Sequence, residues 1–464
     1  MSRPLRILLI NAISPKVEVE RRYPGLGLAY LASVALNHFG SKSIEFRIID
    51  ENPAGFIGSW RPDLAGISSV SQNFNIAMRY ANLLSCAGIP VILGGVHISA
   101  LPHTLPSSAV AGCMGEAEQS FIELVQAHLE GDFSPKRLAE IRGICFWDGD
   151  RIEITEYRPP LDNIDALPFP ARDLLAIGSH TYMFTSRGCP YRCTFCSSSR
   201  FWDKLRFFSP EYVAEEIEHL ARDYGVSFIT FYDDLFAARR SGLETITRLL
   251  EKKKLLGKIR FTCSCRANTV TPEVARMLAR MGIVSVGLGL ESGDDEVLHY
   301  LKGKNISVED NYAAINNLKN AGIFANASFI IGSPHETREQ IIRTYTFIQK
   351  SRLDLMDIYL LTPFPGTPVW EYAKHRGLVS ENMEDWSALD VNVYRSPGKI
   401  VILSEVLTRK ELIALYKKFR WMRLRRNLLK IWNHPMRRDI PKVARRKIAE
   451  MLDWKIGPQK KRSL

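Results

Sequence analysis

The stretch TSRGCPYRCTFCS, residues 185–197, contains Cys189, Cys193 and Cys196 in a C-x3-C-x2-C spacing directly after an apolar segment. Thiolates are soft ligands that suit zinc or the iron of iron–sulfur clusters. Iron–sulfur clusters normally use four cysteines, and no fourth lies nearby in the sequence. Three cysteines on one loop would hold three irons of a cubane and leave the fourth open, as catalytic zinc sites leave one position open. A three-cysteine zinc site or buried thiols are the alternative.

Strand and helix patterns alternate on the carboxyl side of this motif for some 200 residues. The predicted strands are TYMFTSRG, SFITFYDD, IRFTCSCR, IVSVGLGLES, FANASFIIGSP and MDIYLLTPF. Six such repeats predict a separate, partly closed barrel. Polar residues cluster just after these strands, where βα-barrel enzymes keep their active sites.

The first ~130 residues show the same alternation, from the strand RILLINA and the helix GLGLAYLASVALNHF to the strand PVILGGVH. This spacing predicts right-handed βαβ units around a parallel sheet. Ligands of such sheets lie beyond the carboxyl ends of the strands. Those ends carry the small or polar residues Ser68, Ser69, Gly94, Gly95 and His97.

The pattern changes between the two alternating regions. The segment ICFWDGDRIEI predicts a hairpin that turns at Asp148 and Gly149. The proline-bearing stretch RPPLDNIDALPFPARDLL follows and indicates a linker. The predicted domains are therefore residues 1–131 (Rossmann-like), 132–178 (hairpin and linker), 179–400 (barrel) and 401–464 (basic and helical).

Length and composition limit the class of protein. A chain of 464 residues predicts two or three domains, and 46% hydrophobic with 24% charged residues is typical of globular proteins rather than disordered or fibrous ones. No apolar run reaches the ~18 residues of a membrane-spanning helix. The N-terminal MSRPLRILLINAIS predicts a first strand rather than a signal peptide. A cytoplasmic location is expected, because eight cysteines in so long a chain do not resemble a secreted disulfide framework.

Positive charge is concentrated at the carboxyl end. Of the net charge of +12, residues 409–464 contribute +15 (19 Lys and Arg against 4 Asp and Glu), which leaves −3 for the rest. The segment KELIALYKKFRWMRLRRNLLKIW, with Trp421 and Trp432, predicts a basic amphipathic helix. Such helices bind anionic membrane surfaces, and nucleic acid is the competing, less favoured partner. A helix that packs its apolar side on the barrel is the third interpretation.

The cysteine motif, together with FYDDLF, GLGLES, FIIGSPHET and TPFPGTP, resembles the radical S-adenosylmethionine (SAM) superfamily, and VILGGVH with MGEAE resembles its cobalamin-binding members. The resemblance covers residues 1–400. It implies an α/β protein with an N-terminal Rossmann-like cobalamin-binding domain and a partial (β/α)6 barrel. Cys189, Cys193 and Cys196 would ligate a 4Fe–4S cluster whose open iron binds SAM. Reductive cleavage would then give a 5′-deoxyadenosyl radical that abstracts hydrogen from a substrate.

The resemblance also assigns contacts to SAM. The positions that match are Phe195 for the adenine, Asp233 and Asp234 for the ammonium, Arg266 for the carboxylate, Glu291 and Ser292 for the ribose, and Ile331 and Gly332 for backbone approach to the adenine. Asp233 and Asp234 have a helix-capping alternative, and Arg266 has a structural ion pair as its alternative. Cys263 and Cys265 are interpreted as structural thiols. His335, where the family often has glycine, is given no role.

By the same resemblance, Ser68, Ser69, Val70, Ser71, Gly94, Gly95 and His97 would line the cobalamin site. The D-x-H-x-x-G motif of many cobalamin proteins is missing, which leaves the lower axial ligand of cobalt undetermined. Glycines suit close approach of a large planar ligand to the backbone. A Rossmann-like domain without cobalamin is the alternative.

The predicted function is cobalamin-dependent methylation of an unactivated carbon in a small-molecule or lipid-like substrate, with a flavodoxin- or ferredoxin-type reductant. A radical SAM cyclase or oxidoreductase that does not use methylcobalamin is the alternative, and a metal-stabilised, non-catalytic binding protein is the alternative of another class. A methylthiotransferase is not favoured, because Cys86 and Cys113 stand apart instead of forming a second cysteine trio.

Overall fold

The computed structural model describes residues 3–14, 25–391, 398–430 and 435. Its N-terminal sheet has seven strands in the order β2-β1-β3-β4-β5-β6-β7. These are β1 (Leu5–Asn11), β2 (Ile44–Ile49), β3 (Leu64–Ser68), β4 (Val91–Gly94), β5 (Ala111–Cys113), β6 (Ile144–Asp148) and β7 (Arg151–Ile154). Strands β1 to β5 pair in parallel, which confirms the predicted Rossmann-like sheet.

Helices cover both faces of this sheet. They are α1 (Leu26–Phe39), α2 (Ala54–Ser59), α3 (Phe74–Cys86), α4 (Val96–Ala100), α5 (Glu118–Glu130) and α6 (Pro135–Leu138). Strand positions alternate between two apolar cores: Leu8 and Ile10 face one, and Ile7 and Leu9 face the other. Such double coverage explains why the strands are almost continuously hydrophobic.

The predicted hairpin around Gly149 forms, but it is not part of a linker. Strand β6 pairs antiparallel with β5, and β7 pairs antiparallel with β6. The N-terminal sheet therefore continues to Ile154, through residues that the sequence assigned to the connecting segment. The buried side chains of Ile144, Cys145 and Phe146 explain the difference, since they complete the cores of this sheet.

The second sheet has six parallel strands in the order β15-β14-β13-β12-β11-β8. These are β8 (His180–Met183), β11 (Phe228–Phe231), β12 (Arg260–Cys265), β13 (Ile283–Glu291), β14 (Phe324–Ile331) and β15 (Leu355–Leu360). Each predicted barrel strand is present, and the partial (β/α)6 barrel is confirmed. Two short strands, β9 (Ser186–Arg187) and β10 (Arg206–Phe207), form an antiparallel pair beside it.

The barrel helices are α7 (Ser198–Phe201), α8 (Pro210–Tyr224), α9 (Arg240–Lys252), α10 (Pro272–Met281), α11 (Asp295–Lys302), α12 (Val308–Asn320), α13 (Arg338–Lys350) and α14 (Pro368–His375). Local sequence sets their ends. Ser209 caps α8 by accepting the backbone N–H of Tyr212, proline follows the cap, and Gly225 ends the helix in the left-handed conformation. This Ser-Pro start and Gly stop is a strong helix-boundary signal.

The last described helix, α15 (Arg409–Lys430), runs along β15. The side chains of Leu412, Leu415, Tyr416 and Phe419 are buried in the barrel core. The predicted basic helix is thus present and packs its first half on the barrel, as the third interpretation expected. Trp432 and the other predicted residues after 430, except 435, lie outside the described residues.

Helix α15 runs opposite to the barrel strands. Leu412, near its start, packs at Gly332, just after the carboxyl end of β14. Arg426, near its end, donates to the carbonyls of Ile348 and Leu353, which precede β15. Within residues 3–14, 25–391 and 398–430, no helix combines the length and apolar composition that crossing a bilayer requires.

Candidate active site between the two sheets

The cysteine loop begins at the carboxyl end of β9. Gly188 connects Arg187 to Cys189 with φ = +97°, and a Cβ at this position would lie 2.6 Å from the carbonyl oxygen of Lys204. Only glycine fits this turn. The three thiols of Cys189, Cys193 and Cys196 are all partly accessible.

Hydrogen bonds attach the cysteine loop to two barrel helices. The backbone N–H of Thr194 donates to the carbonyl of Leu301 in α11 (2.9 Å), and the N–H of Val369 in α14 donates to the carbonyl of Thr194 (3.3 Å). Phe195 packs against the core that joins the N-terminal sheet to α14. The loop is thus held over the carboxyl ends of the barrel strands.

The donor set suits an iron–sulfur cluster. Burial, together with the nearby Asp234, Cys196 and Cys193, raises the pKa of the Cys189 thiol to about 11, so the three thiols influence one another electrostatically. Iron binding supplies the positive charge that such thiols need to deprotonate. Across the part of the chain that the structure describes, no three His, Cys, Asp or Glu side chains are arranged around a single metal ion. A cubane needs a wider spacing, since each thiolate binds a different iron.

Arg266, at the end of β12, contacts the cysteine loop. Its Nη1 donates to Cys193 Sγ (3.5 Å), its Nη2 donates to the Lys302 carbonyl (3.1 Å), and its guanidinium lies 4.0 Å from the centre of the Tyr191 ring. Among the described residues its buried Nε has no hydrogen-bond partner. Arg266 therefore follows the end of β12, as the sequence predicted, and the structure places it beside the cysteines; its contact with the SAM carboxylate stays a prediction.

Glu291 ends β13 in a left-handed conformation (φ = +63°) at an irregularity in the β13–β14 register. Its Oε1 lies 3.7 Å from Lys302 Nζ, and both side chains are buried. Burial raises the pKa of Glu291, although Lys302 opposes the shift. A non-glycine residue held at positive φ is costly, and such strain concentrates at functional sites.

Asp233 and Asp234 have different surroundings. The carboxylate of Asp233 accepts the backbone N–H and the hydroxyl of both Thr185 and Ser186, at 2.5–2.9 Å. Burial raises the pKa of Asp233 to about 6. Asp234 accepts from Ser198 Oγ (2.5 Å) and lies close to Cys189. Asp233 fixes the segment before the cysteines, and only Asp234 is free to face a ligand.

The remaining predicted SAM contacts lie at the carboxyl ends of β13 and β14 or directly after them. The hydroxyl of Ser292 is buried against that of Thr344 (3.1 Å), and Ile331 is fully buried in the barrel core. Gly332 has φ = +88°, and its N–H donates to Glu336 Oε2 (2.7 Å). The side chains of Ser292 and Ile331 are therefore buried against other residues of the barrel, so only their backbone atoms can contact SAM.

A cavity of about 540 Å³ lies between the carboxyl edge of the N-terminal sheet and the segments that flank the cysteine loop. Five residues predicted to contact cobalamin line it, namely Ser68, Ser69, Val70, Gly94 and Gly95. At Gly95 (φ = +92°) a Cβ would lie 2.6 Å from the carbonyl oxygen of Ser69. A large planar ligand can approach the backbone here because Gly94 and Gly95 carry no side chain.

His97 and Ser71 do not line this cavity. The imidazole of His97 is fully buried, stacked 3.7 Å from Phe74 and edge-on to Trp386 at 4.5 Å. Its Nδ1 is 3.1 Å from Ser71 Oγ, and its Nε2 is 3.0 Å from Thr104 Oγ1. Burial lowers the pKa of His97 to about 3. The ring is a neutral core residue that joins the N-terminal sheet to the chain after α14.

The sequence did not identify the charged residues in the cavity wall. Glu116 and Glu118, within the quoted MGEAE, contact Arg187 and Arg206 on β9 and β10. Tyr30, Tyr182, Trp202 and Tyr232 line the same cavity. Arg187 was visible in the cysteine motif, but its partners are 71 and 69 positions away.

Comparisons with known proteins agree with this geometry. The sequence matches the family model of the radical SAM superfamily over residues 183–348 and that of the B12 binding domain over residues 16–125. A Pyrococcus horikoshii protein named an uncharacterized methyltransferase is 32% identical over 384 residues, which cover 79% of this chain and 82% of the relative. The anaerobic magnesium-protoporphyrin IX monomethyl ester cyclase of Cereibacter sphaeroides is 26% identical over 394 residues, covering 79% of this chain and 63% of the relative.

Among solved structures, the radical SAM methyltransferase TsrM from Kitasatospora setae has a TM-score of 0.66 at 20% identity, covering 81% of this chain and 77% of that chain. This likeness shows a common fold across both domains. The sequence relatives and the family models show the family as well as the fold. The chain belongs to the radical SAM superfamily, among the enzymes with an N-terminal B12-binding domain, whose cofactors are a 4Fe–4S cluster, SAM and cobalamin.

Proposed function

We propose that this enzyme methylates an unactivated carbon of an apolar small-molecule or lipid-like substrate. One observation carries the proposal: a single cavity has the glycine-bearing edge of the B12-binding domain on one side and residues flanking the cysteine loop on the other. When bound, the cluster supplies the electron that cleaves SAM to a 5′-deoxyadenosyl radical, and cobalamin supplies the methyl group. A shared cavity lets both act on one substrate.

Different residues of this chain would bind the cluster, SAM and cobalamin. Cys189, Cys193 and Cys196 would bind the cluster, with Arg266 donating to the thiolate of Cys193. Asp234 lies beside Cys189 and would accept a hydrogen bond from the SAM ammonium. The edge formed by Ser68–Val70, Gly94 and Gly95 would support cobalamin.

Aromatic side chains indicate an apolar substrate. Tyr182, Phe184 and Tyr232 line the cavity on the barrel side, with ring centres 5.5–6.2 Å apart. Tyr232 is 51% exposed, so this cluster is open to an incoming molecule. Aromatic rings bury large apolar areas and stack on flat groups. This aromatic side of the cavity thus favours a lipid-like or planar apolar substrate over a highly charged one, while the charged residues of the opposite side, Glu116, Glu118 and Arg187, pair with one another.

The proposal is tested by anaerobic reconstitution with iron, sulfide and hydroxocobalamin, followed by SAM carrying a deuterated methyl group and a strong reductant. We expect about four irons and one cobalt per chain, release of 5′-deoxyadenosine, and the labelled methyl group on cobalamin. Cys193→Ala should lose iron and 5′-deoxyadenosine but keep cobalt, whereas Cys86→Ala, at an exposed cysteine on α3, should match the wild type.

Other outcomes favour the alternatives. Iron and SAM cleavage without cobalt would contradict methylation and favour a radical SAM cyclase or oxidoreductase. Bound zinc without SAM cleavage would favour a metal-stabilised binding protein. Labelled methyl transfer to cobalamin separates the proposed function from both, because neither alternative includes that step.

We also propose that the second half of α15 contacts an anionic membrane surface. Trp421 is 68% exposed, and Leu424 is 41% exposed. Cations surround a groove beside Trp421, namely Lys319, Arg352, Lys417, Lys418, Arg425, Arg426 and Lys430. Exposed tryptophan among lysines and arginines is typical of helices that bind the bilayer interface. This groove lies at the end of the barrel opposite the cysteine loop, so the contact would orient the enzyme rather than supply substrate.

Sedimentation with vesicles tests this contact. Wild-type protein should bind vesicles that contain anionic lipid more strongly than neutral vesicles, and added salt should weaken binding. Trp421→Ala and Lys417→Glu should reduce binding, whereas Lys136→Glu, at an exposed position on α6 of the N-terminal domain, should not. Equal binding to both vesicle types would refute the contact.

The proposal also includes the electron donor to the cluster and the cytoplasmic location of the enzyme. A flavodoxin- or ferredoxin-type donor in the cytoplasm would reduce the cluster. The partial accessibility of all three cysteines supports approach of such a donor. Competence of purified flavodoxin in place of the chemical reductant would test it, and failure with both flavodoxin and ferredoxin would contradict it.

A further inference from the structure

The guanidinium of Arg187 connects the two domains inside the molecule. Its Nη1 donates to Glu116 Oε2 (3.1 Å), and its Nη2 donates to Glu118 Oε1 (2.7 Å). All three side chains are at most 8% exposed. Burial alone would lower the pKa of Arg187, but Glu118 and Glu116 raise it above its usual range. Arg187 is therefore a buried, permanently charged group that depends on two carboxylates of the N-terminal domain.

Arg206 completes a neutral cluster. It pairs with Glu116 through both terminal nitrogens, and its Nη1 also donates to the carbonyl of Leu161 (2.6 Å). Arg206 and Arg187 are directly opposite each other on β10 and β9. Two arginines and two glutamates thus balance, and the β9–β10 pair is fixed to the loop between β5 and α5. Removing one charge from such a cluster leaves another buried and uncompensated.

The same cluster touches the cavity and the cysteine loop. Glu116, Glu118 and Arg187 line the cavity, and the guanidinium of Arg187 lies 5.5 Å from the Trp202 ring centre in the segment after Cys196. Only Gly188 separates Arg187 from Cys189. The close packing of Gly188 on the Lys204 carbonyl leaves this connection little freedom. A shift of Arg187 would therefore move the first cysteine.

We propose that Arg187 is a positioning residue through which cobalamin binding in the cavity and cluster loading on the cysteine loop strengthen each other. The inference rests on the proposed function, since it requires that cobalamin occupies this cavity. Cobalamin against Glu116 and Glu118 fixes the carboxylates that hold Arg187, and the cluster fixes the loop that Arg187 begins. By linkage, each ligand must raise the affinity for the other by the same factor.

Titration with hydroxocobalamin measures this coupling. Anaerobic wild-type protein with and without its reconstituted cluster is titrated, and cobalt binding is followed by absorbance. We expect the cluster to tighten binding about fivefold or more, the lower end of typical allosteric coupling. Glu118→Gln keeps the side-chain shape but removes the charge, and should bring this ratio close to one.

Glu216→Gln is the matched control. Glu216 forms an even more deeply buried ion pair with Arg172 (2.6 Å), and neither residue lines the cavity. This variant should keep the wild-type ratio. Thermal melts of both variants check folding, and Arg187→Lys, which retains the charge but cannot contact both carboxylates, serves if Glu118→Gln does not fold.

Equal affinities in wild-type protein with and without the cluster would overturn the inference. Equal loss of coupling in Glu118→Gln and Glu216→Gln would also overturn it, since the effect would then be general destabilisation. Failure of wild-type protein to bind cobalamin at all would instead overturn the proposed function, and the inference with it.

Discussion

Replacing Gly95 by alanine should destabilise the B12-binding domain far more than the same change at its neighbour. Gly95 has φ = +92° and ψ = −174°, a region that essentially only glycine occupies. The added Cβ would lie 2.6 Å from the Ser69 carbonyl oxygen and 2.9 Å from both Ser68 Oγ and the Ser69 nitrogen. Two of these neighbours are backbone atoms, so no side-chain rotation relieves the contact.

The magnitude follows from two contributions. Forcing alanine into such a backbone region costs about 1–3 kcal/mol, and overpacking a tight site costs about 1–3 kcal/mol more. Gly95→Ala should therefore lower the free energy of unfolding by about 2–6 kcal/mol. At Gly94 the nearest neighbour of an added Cβ is 3.9 Å away. Gly94→Ala should change the free energy of unfolding by less than about 1 kcal/mol, because alanine lowers the conformational entropy of the unfolded chain and this offsets part of any cost in the folded state.

Urea unfolding followed by circular dichroism, at matched protein concentration, measures both variants. The pair isolates the backbone argument, because the two glycines are adjacent and line the same cavity, and only the Cβ at Gly95 would contact backbone atoms at 2.6–2.9 Å. Equal stabilities of the two variants would refute the claim that the turn at Gly95 requires glycine. A destabilised Gly94→Ala with an unaffected Gly95→Ala would refute it more strongly.

Three further changes test the barrel side. Burial raises the pKa of Glu336 from 4.5 to about 8, so the folded state binds an extra proton between these pH values. The free energy of unfolding should therefore fall by on the order of 4 kcal/mol as pH rises from about 5 to 9, and Glu336→Gln should lack this decline in pH-dependent urea unfolding. Arg266→Gln should lower 5′-deoxyadenosine formation about 10–100-fold through loss of its contact with Cys193. Gly332→Ala, whose Cβ would lie 2.8 Å from Leu412 Cδ2, should lower the melting temperature, and Leu412→Ala in addition should not add its full single-mutant cost.

Each of these has a contradicting result. A Glu336→Gln variant with the wild-type pH profile would show that this carboxyl does not titrate as described. Wild-type rates and iron content in Arg266→Gln would remove its role at the cysteine loop. Strict additivity of the Gly332 and Leu412 substitutions would show that the two sites do not share the contact.

Local patterns predicted the architecture because each depends on neighbours in sequence. The C-x3-C-x2-C motif directly follows a strand, and parallel strands place their carboxyl ends at one edge. That rule alone brought Ser68 and Gly94 together, and they are paired in register in the sheet. The positions of the cysteine loop and the glycine-bearing edge could therefore be predicted from the sequence.

Hydrogen bonds and ion pairs between residues far apart in the sequence could not be predicted in this way. Asp233 follows a strand, as a ligand-binding carboxylate would, but its carboxylate accepts hydrogen bonds from the N–H groups of Thr185 and Ser186 instead. The partners of Arg206 include a glutamate 90 positions earlier in the chain. Whether a carboxylate serves a ligand or the fold depends on which donors the tertiary structure brings to it, and no spacing rule contains that information.

The course of α15 affects how the chain can be shortened. Composition changes near residue 409, which suggests a removable basic tail, yet Leu412 and Phe419 are at most 1% exposed inside the barrel core. A truncation before Arg409 would strip one wall from the catalytic domain and open Gly332 to water. A truncation that begins after Lys430 would keep the buried face of α15 in place, and Lys430 lies at the far end of the barrel from the cysteine loop.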